Sequence, residues 1–226
     1  MENETNSDSA LIRQLSSAVD GETEARLRRE TQRFMKVMTQ YKCAMMDVEA
    51  RFNLLNEEYM LEHGRAPVNS IKTRLKTLPS IREKLERKGI ELTPASFYNN
   101  IHDIAGVRVI CAFTQDVYHL ADALLRQDDI TLLRRKDYIS FPKPNGYRSL
   151  HLLVTTPIYL ANEKKEILVE VQLRTVAMDC WASLEHQLRY KSEVRMSNTV
   201  TEELLRCAGL SAELDMRMDL LGKELL

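Results

Sequence analysis

Four short runs in the middle of this chain constrain its architecture more than any other feature. GVRVICAF (106–113), TLLRRKDYI (131–139), SLHLLVTT (149–156) and EILVEVQLR (166–174) are rich in β-branched and large apolar residues and are bounded by turn formers. That is the pattern of β-strands. The stretches 116–126 and 176–190 have helical spacing instead. Strands interleaved with helices bury themselves as a sheet under helices, so the expected fold class is α/β or α+β.

The two ends of the chain are helical. Phe34, Met38, Tyr41, Met45, Val48, Phe52, Leu55 and Tyr59 recur in alternating steps of four and three, the seam of one long helix. His63-Gly64 with Pro67 stops it. A second helix is expected over 79–88, with Ser80 near its start and Gly89 beyond its end. In the last segment, 199–226, Val200, Leu204, Cys207, Leu210, Leu214, Met218, Leu221 and Leu225 share one helical face. Residues 1–22 are polar without a sustained period and read as a flexible leader, which leaves 23–226 as one domain with long N- and C-terminal helices. The apolar faces of the terminal helices fit either self-association or packing on the chain's own sheet.

With 226 residues, 44% of them hydrophobic, the chain can bury one ordinary core, and disordered classes are excluded. No run approaches the roughly 20 apolar residues of a membrane helix, and no basic segment leads into an apolar one at the start, so a cytoplasmic protein without a membrane partner is expected. Cys43, Cys111, Cys180 and Cys207 lie far apart in apolar-patterned segments and read as reduced packing residues. The net charge of −1 supplies no field to hold duplex DNA. Residues 65–90, however, carry eight Lys/Arg against two Glu. A cationic segment on an acidic body suits a compact anion, and a solvated helix face accounts for it equally well.

Three polar constellations fall on the strands. In IHDIAGVRVICAF, Asp103 stands at the mouth of a strand beside Ala105-Gly106, with Arg108 two residues on. A carboxylate beside a glycine that lets a phosphate approach is one way to hold a divalent ion, and a turn-capping Asp with a surface Arg is the alternative. FPKPNGY is a stiffened loop presenting Lys143, Tyr147 and Arg148, with His151 beyond it. A fixed aromatic among cations can stack a base, whereas a plain NG turn explains only Asn145-Gly146. Along the last strand Glu170, Gln172 and Arg174 share one face and Val169, Val171 and Leu173 the other, so the polar face is either exposed sheet or an active-site floor. Asp103 and Glu170 together supply the paired carboxylates of a magnesium-nucleotide reaction. No P-loop, GxGxxG, GxSxG or HExxH pattern is present. His102-Asp103 alone is too little for a metal-dependent HD hydrolase.

Taken together, HDIAGVRVIC, KDYISFPKPNGYRSLHLLV and EVQLRTVAMDCWASLEHQLRYK resemble the synthetase domain of the RelA/SpoT family. The match is nearest to the small alarmone synthetases and, within them, the RelP type, and it runs over 36–214 with the blocks in family order. The resemblance implies a nucleotidyltransferase-like mixed sheet flanked by helices. It also implies an enzyme that moves the pyrophosphate of ATP onto the 3′-hydroxyl of GDP or GTP. Asp103 and Glu170 then match the Mg2+-binding carboxylates, with Glu170 also the base for the attacking hydroxyl. Arg74 and Arg108 match arginines that sandwich adenine, and Lys76 and Lys84 match cations on the ATP phosphates. Tyr147 matches the tyrosine on which guanine stacks, Lys143 and His151 match groups near the acceptor phosphates, and Gln172 lines the same floor. Asp179 falls where the family approaches the guanine edge, the alternative being an acid at a helix N-terminus. Glu185, His186 and Lys191 lie in the same block and are expected to serve the structure. The resemblance further implies a homotetramer. The competing reading is a catalytically silent regulator that binds nucleotide or single-stranded RNA on the same fold.

Overall fold

The structure, a computed structural model, describes residues 21–91, 101–191 and 197–225. Of the expected leader, residues 1–20 lie outside the described residues, and Gly21 and Glu22 already belong to the first helix. The chain divides into two units, Met1–Gln40 and Tyr41–Leu226. Helix α1 (Gly21–His63) is one element of 43 residues that begins in the first unit. The site described below lies in the second.

Helix α1 ends at Gly64, whose φ of 69° is the left-handed cap position that glycine occupies without strain. Strand β1 (Val68–Leu75) follows, then α2 (Leu78–Arg87), with Pro79 in its first turn and Gly89 at φ 66° just beyond its end. Next come β2 (Ala105–Cys111), α3 (Thr114–Leu125), β3 (Thr131–Asp137), β4 (Leu150–Tyr159) and β5 (Lys164–Thr175). Helices α4 (Val176–Lys191) and α5 (Asn198–Leu225) close the chain. The four strands and the helices read from hydrophobic period are all present.

One strand was not legible. In β1, Lys72 and Arg74 alternate with Ile71, Thr73 and Leu75, but the segment is dominated by polar side chains and occupies a sheet edge, where one flank faces water. The sheet order is β1-β2-β5-β4-β3; β2 and β5 are parallel and every other pair is antiparallel. This is the mixed sheet flanked by helices that was expected.

Register decides what each face carries. Val107, Val109, Leu152, Val154, Val171 and Leu173 are buried on one face, together with the apolar side of α1 from Tyr41 to Phe52 and of α3. Thr156 on β4 donates to Asp47 of α1 at 2.7 Å, and Arg51 pairs with Asp129 in the turn before β3 at 2.7 Å, fastening that helix to the sheet and to the turn. Directly paired residues of neighbouring strands project to the same side, so the opposite face carries two rows. Lys72, Arg108, Gln172, His151 and Lys136 form one; Arg74, Gly106, Glu170, Leu153 and Arg134 form the next.

Of the two arrangements open to the apolar seam of α5, packing on the chain's own sheet is not the one observed. Its buried residues are Ala208, Asp215 and Gly222, spaced by seven, and Gly222 lies against the ring of Phe113. Small residues let the helix approach closely, while Leu210, Leu214, Met218 and Leu221 of the seam face outward. Leu210, Leu214 and Met218 line an apolar groove of about 760 Å3 with Val176, Cys180 and Leu184 of α4. No helix among the described residues is long and apolar enough to cross a membrane.

Candidate active site

The polar face of the sheet is the floor of a cleft of about 530 Å3. Arg74, Lys76, Asp103, Arg108, Glu170 and Gln172 line it, along with Tyr147 and Arg174. Gly106 sits opposite Glu170 on the parallel neighbour strand and leaves the floor open between Arg74 and Glu170. The polar face of β5 is therefore an interior surface rather than plain exposed sheet, and Arg174 is buried in it.

Asp103 lies just before β2, where Lys76 and Lys84 both reach its Oδ2 at 2.8 Å. Burial pushes the Asp103 carboxyl up, and the two lysine contacts outweigh it, so it sits below the usual carboxylate range. Its other oxygen, Oδ1, is buried with no hydrogen-bond partner. Glu170 on β5 accepts from Gln172 Nε2 at 3.1 Å, and its Oε1 stands 3.5 Å from His151 Nδ1. Burial raises this carboxyl as well, but His151 and then Gln172 bring it below its ordinary value even against the nearby charge of Asp103. Two ionised carboxylates near enough to repel, one with a vacant buried lone pair, fit the oxygen set of a Mg2+ that takes its remaining ligands from phosphates and water. Asp103 and Glu170 are the residues that would hold it.

Glu170 also lines a second cavity of about 190 Å3 with Arg134, Lys136, Tyr138, Lys143 and His151. The carboxylate thus stands between a larger space bordered by Arg74, Arg108 and Lys76 and a smaller, cationic one. Arg134 and Lys136 were not singled out by sequence. They are two apart on β3 and join the polar face only through pairing with Leu153 and His151 on β4, a register that the local sequence does not declare.

The loop between β3 and β4 is held from several sides. Lys143 and Tyr147 exchange backbone contact, with the Lys143 N–H donating to the Tyr147 carbonyl at 3.1 Å and the Gly146 N–H to the Lys143 carbonyl at 2.8 Å. Asn145 donates to Glu185 of α4 at 3.2 Å, and Arg148 pairs with buried Asp215 of α5 at 3.2 Å. Glu185, expected to serve the structure, thus holds the loop, and together with His186 it also lines the larger cleft. The ammonium of Lys143 lies 4.6 Å from the ring centroids of both Tyr138 and Tyr147, and the Arg174 guanidinium lies 5.0 Å from that of Tyr147. Ser149, which alternation would place beside Tyr147 and His151, is instead fully buried and donates to the Leu173 carbonyl.

Asp179, in the first turn of α4, does not line either cavity. Its Oδ2 is 2.9 Å from Lys72, and its Oδ1 is 3.3 Å from Arg174 and 3.4 Å from Arg108. Burial raises its carboxyl, but Lys72, Arg108 and Arg174 bring it below the ordinary range. With both oxygens so engaged it is counter-ion to three cations on the sheet. This ion-pair cluster fixes Arg108 and Arg174 at the cleft wall.

Residues 73–195 match the family model described as "Region found in RelA / SpoT proteins". The chain is 43% identical over 184 residues to the GTP pyrophosphokinase YwaC of Bacillus subtilis (strain 168), across 81% of this chain and 88% of that one. The solved structure of small alarmone synthetase 2 from Bacillus subtilis has a TM-score of 0.77 to this chain at 39% identity, covering 85% of this chain and 99% of that chain. Small alarmone synthetase 1 from the same organism, solved with its product pppGpp, has a TM-score of 0.76 at 32% identity and covers 85% and 97%. The chain belongs to the RelA/SpoT family, among its small alarmone synthetases.

Proposed function

We propose that the protein transfers the pyrophosphate of ATP to the 3′-hydroxyl of GDP or GTP, forming (p)ppGpp and releasing AMP. One observation carries this reading: Glu170 lies on the wall shared by a cleft fit for a donor nucleotide and a cationic pocket fit for an acceptor's phosphates. A base so placed faces the oxygen that must attack.

ATP occupies the larger cleft in this reading. Arg74 and Arg108 lie along adenine, and Lys76 and Lys84, which neutralise Asp103 in the structure, are within reach of the phosphates. The acceptor stacks guanine on Tyr147 and sets its 5′-phosphates among Arg134, Lys136 and Lys143. His151 and Gln172 keep Glu170 ionised at neutral pH, so it takes the 3′-hydroxyl proton as the oxygen bonds to the β-phosphorus. The bond from that phosphorus to the α-phosphate oxygen breaks, and the electron pair leaves with AMP. Mg2+ bound at Asp103 and Glu170 would supply charge neutralisation on the phosphates. Positioning and electrostatics provide most of the acceleration in transfers of this kind.

A silent nucleotide- or RNA-binding regulator has no use for two carboxylates converging on one cleft. Incubation with labelled ATP, GDP or GTP and Mg2+ should yield AMP and the 3′-pyrophosphorylated nucleotide, and a chelator should abolish both. Absence of product under these conditions would refute the proposal. Tyr147→Ala should raise the acceptor KM by roughly tenfold or more, since stacking on an aromatic is worth about 1–3 kcal/mol. An unchanged KM would remove Tyr147 from the base site.

The outward seam of α5 and the groove it forms with α4 fit a homotetramer, because apolar area of this extent is rarely left in water. Leu210→Glu combined with Leu214→Glu should reduce the assembly to smaller species in light scattering, and an unaltered mass would exclude that face. The nucleotide substrates and the four free cysteines support a cytoplasmic place of work.

A further inference from the structure

Five polar side chains on the acceptor side close into a ring. The Arg174 Nη2 donates to the Tyr147 hydroxyl at 2.5 Å, and that hydroxyl stands 2.8 Å from His151 Nε2. His151 Nδ1 is 3.5 Å from Glu170 Oε1, Gln172 Nε2 donates to Glu170 Oε2 at 3.1 Å, and Arg174 Nη2 donates to Gln172 Oε1 at 3.2 Å. Both oxygens of Glu170 are therefore approached by chains that lead back to one buried guanidinium, itself held by Asp179.

The directions of these bonds follow from the groups themselves. Arginine only donates, so the tyrosine oxygen accepts from Arg174 and its own proton is free for His151 Nε2. An unprotonated Nδ1 would set a lone pair against the Glu170 carboxylate, so the ring carries a proton there. At 3.5 Å the contact is longer than a formed hydrogen bond. Contacts of this kind tighten when the acceptor fills the pocket.

Resting on the proposed synthetase reading, we propose that Tyr147 has a second task besides stacking: its hydroxyl, fixed by Arg174, holds His151 as a positioning residue that aims Glu170 at the acceptor hydroxyl. Binding of the base and orientation of the general base then pass through one side chain. A base misaligned by about 1 Å loses on the order of a hundredfold in rate.

The test separates ring from hydroxyl. Tyr147→Phe keeps the stacking surface, so kcat should fall about tenfold or more while the acceptor KM stays within about twofold. His151→Ala should show the same loss, and His151→Asn, whose amide N–H can replace Nδ1 as donor, should recover part of it. Adding Tyr147→Phe to His151→Ala should cost nothing further, because the hydroxyl acts through the ring. If Tyr147→Phe turns over normally, loses kcat only with an equal rise in KM, or adds fully to His151→Ala, the inference is overturned. Glu170→Gln measured alongside distinguishes the failures. If the parent makes product and that variant does not, only the positioning role falls; if the variant turns over like the parent, the base role of Glu170 falls with it, and if the parent makes no product, the synthetase reading falls too.

Discussion

Glu170→Gln should leave a folded protein that makes no detectable alarmone. The substitution keeps the side chain's length and shape and can preserve a contact to Gln172, so the thermal midpoint is expected within a few degrees of the parent. What it removes is the proton acceptor, and with it one of two carboxylates that face the cleft. General base catalysis alone contributes about 10²–10⁴-fold, and the lost charge weakens metal binding as well. Product formation from ATP and GDP, measured by separation of labelled nucleotides, should therefore fall by at least about a thousandfold. Turnover within about tenfold of the parent would remove Glu170 from the role and leave Asp103 without a partner. Asp103→Asn, by contrast, should leave Lys76 and Lys84 facing each other without their shared anion, so a loss of stability is expected to accompany its loss of activity.

The second large effect is expected at a residue with no side chain. Gly146 has a φ of 87°, and a Cβ built there would stand 2.4 Å from the Cβ of Ala208 on α5. Gly146→Ala thus combines a left-handed backbone, costing about 1–3 kcal/mol for a residue with a side chain, with a steric conflict that overpacks a tight contact by about 1–3 kcal/mol more. A chain of this size loses about 2–4 °C per kcal/mol, so calorimetry should show a fall of roughly 5–20 °C. Because Tyr147 is the next residue, the acceptor KM should rise in the protein that remains folded. Ala208→Gly in the same chain should restore only the steric part. A midpoint unchanged by Gly146→Ala would mean that the loop does not rest on α5.

These two positions show how differently a residue announces itself. Asp103 and Glu170 were legible as chemistry because each sits in a short run whose neighbours restrict its place: a glycine beside one, alternating valines around the other. The FPKPNGY loop was legible as a rigid presenter of Lys143 and Tyr147 because two prolines and an Asn-Gly pair limit the backbone. The same loop's dependence on Ala208 was not, since the contact joins residues some sixty positions apart. Arg134 and Lys136 remained hidden for a related reason. Their role arises from strand pairing, and neighbouring residues on β3 say nothing of which strand will lie beside them.

Asp179 and α5 mark the other limit. Family likeness placed Asp179 near the guanine edge, but the position of a carboxylate along a chain does not reveal its counter-ions, and here Lys72, Arg108 and Arg174 converge on it from two strands. Periodicity likewise identified the largest side chains of α5 and left both the chain's own sheet and a partner open to them. The helix turns Ala208, Asp215 and Gly222 inward instead, because close approach to Phe113 and the Gly146 loop admits only small side chains or a paired one.

Local patterning by itself determined the order of four of the five strands and of the helices around them, the cationic stretch, the stiff loop and the two carboxylates, since each depends on spacing within about ten residues and on backbone preferences that act at that range. Tertiary structure alone decided that Glu170 separates two cavities, that Arg174 stands behind the Gln172 and Tyr147–His151 contacts that approach its oxygens, and that the seam of α5 points outward. Those facts depend on strand register and on helix approach across the fold, where packing and charge pairing between distant residues select one arrangement from many that the same local pattern allows.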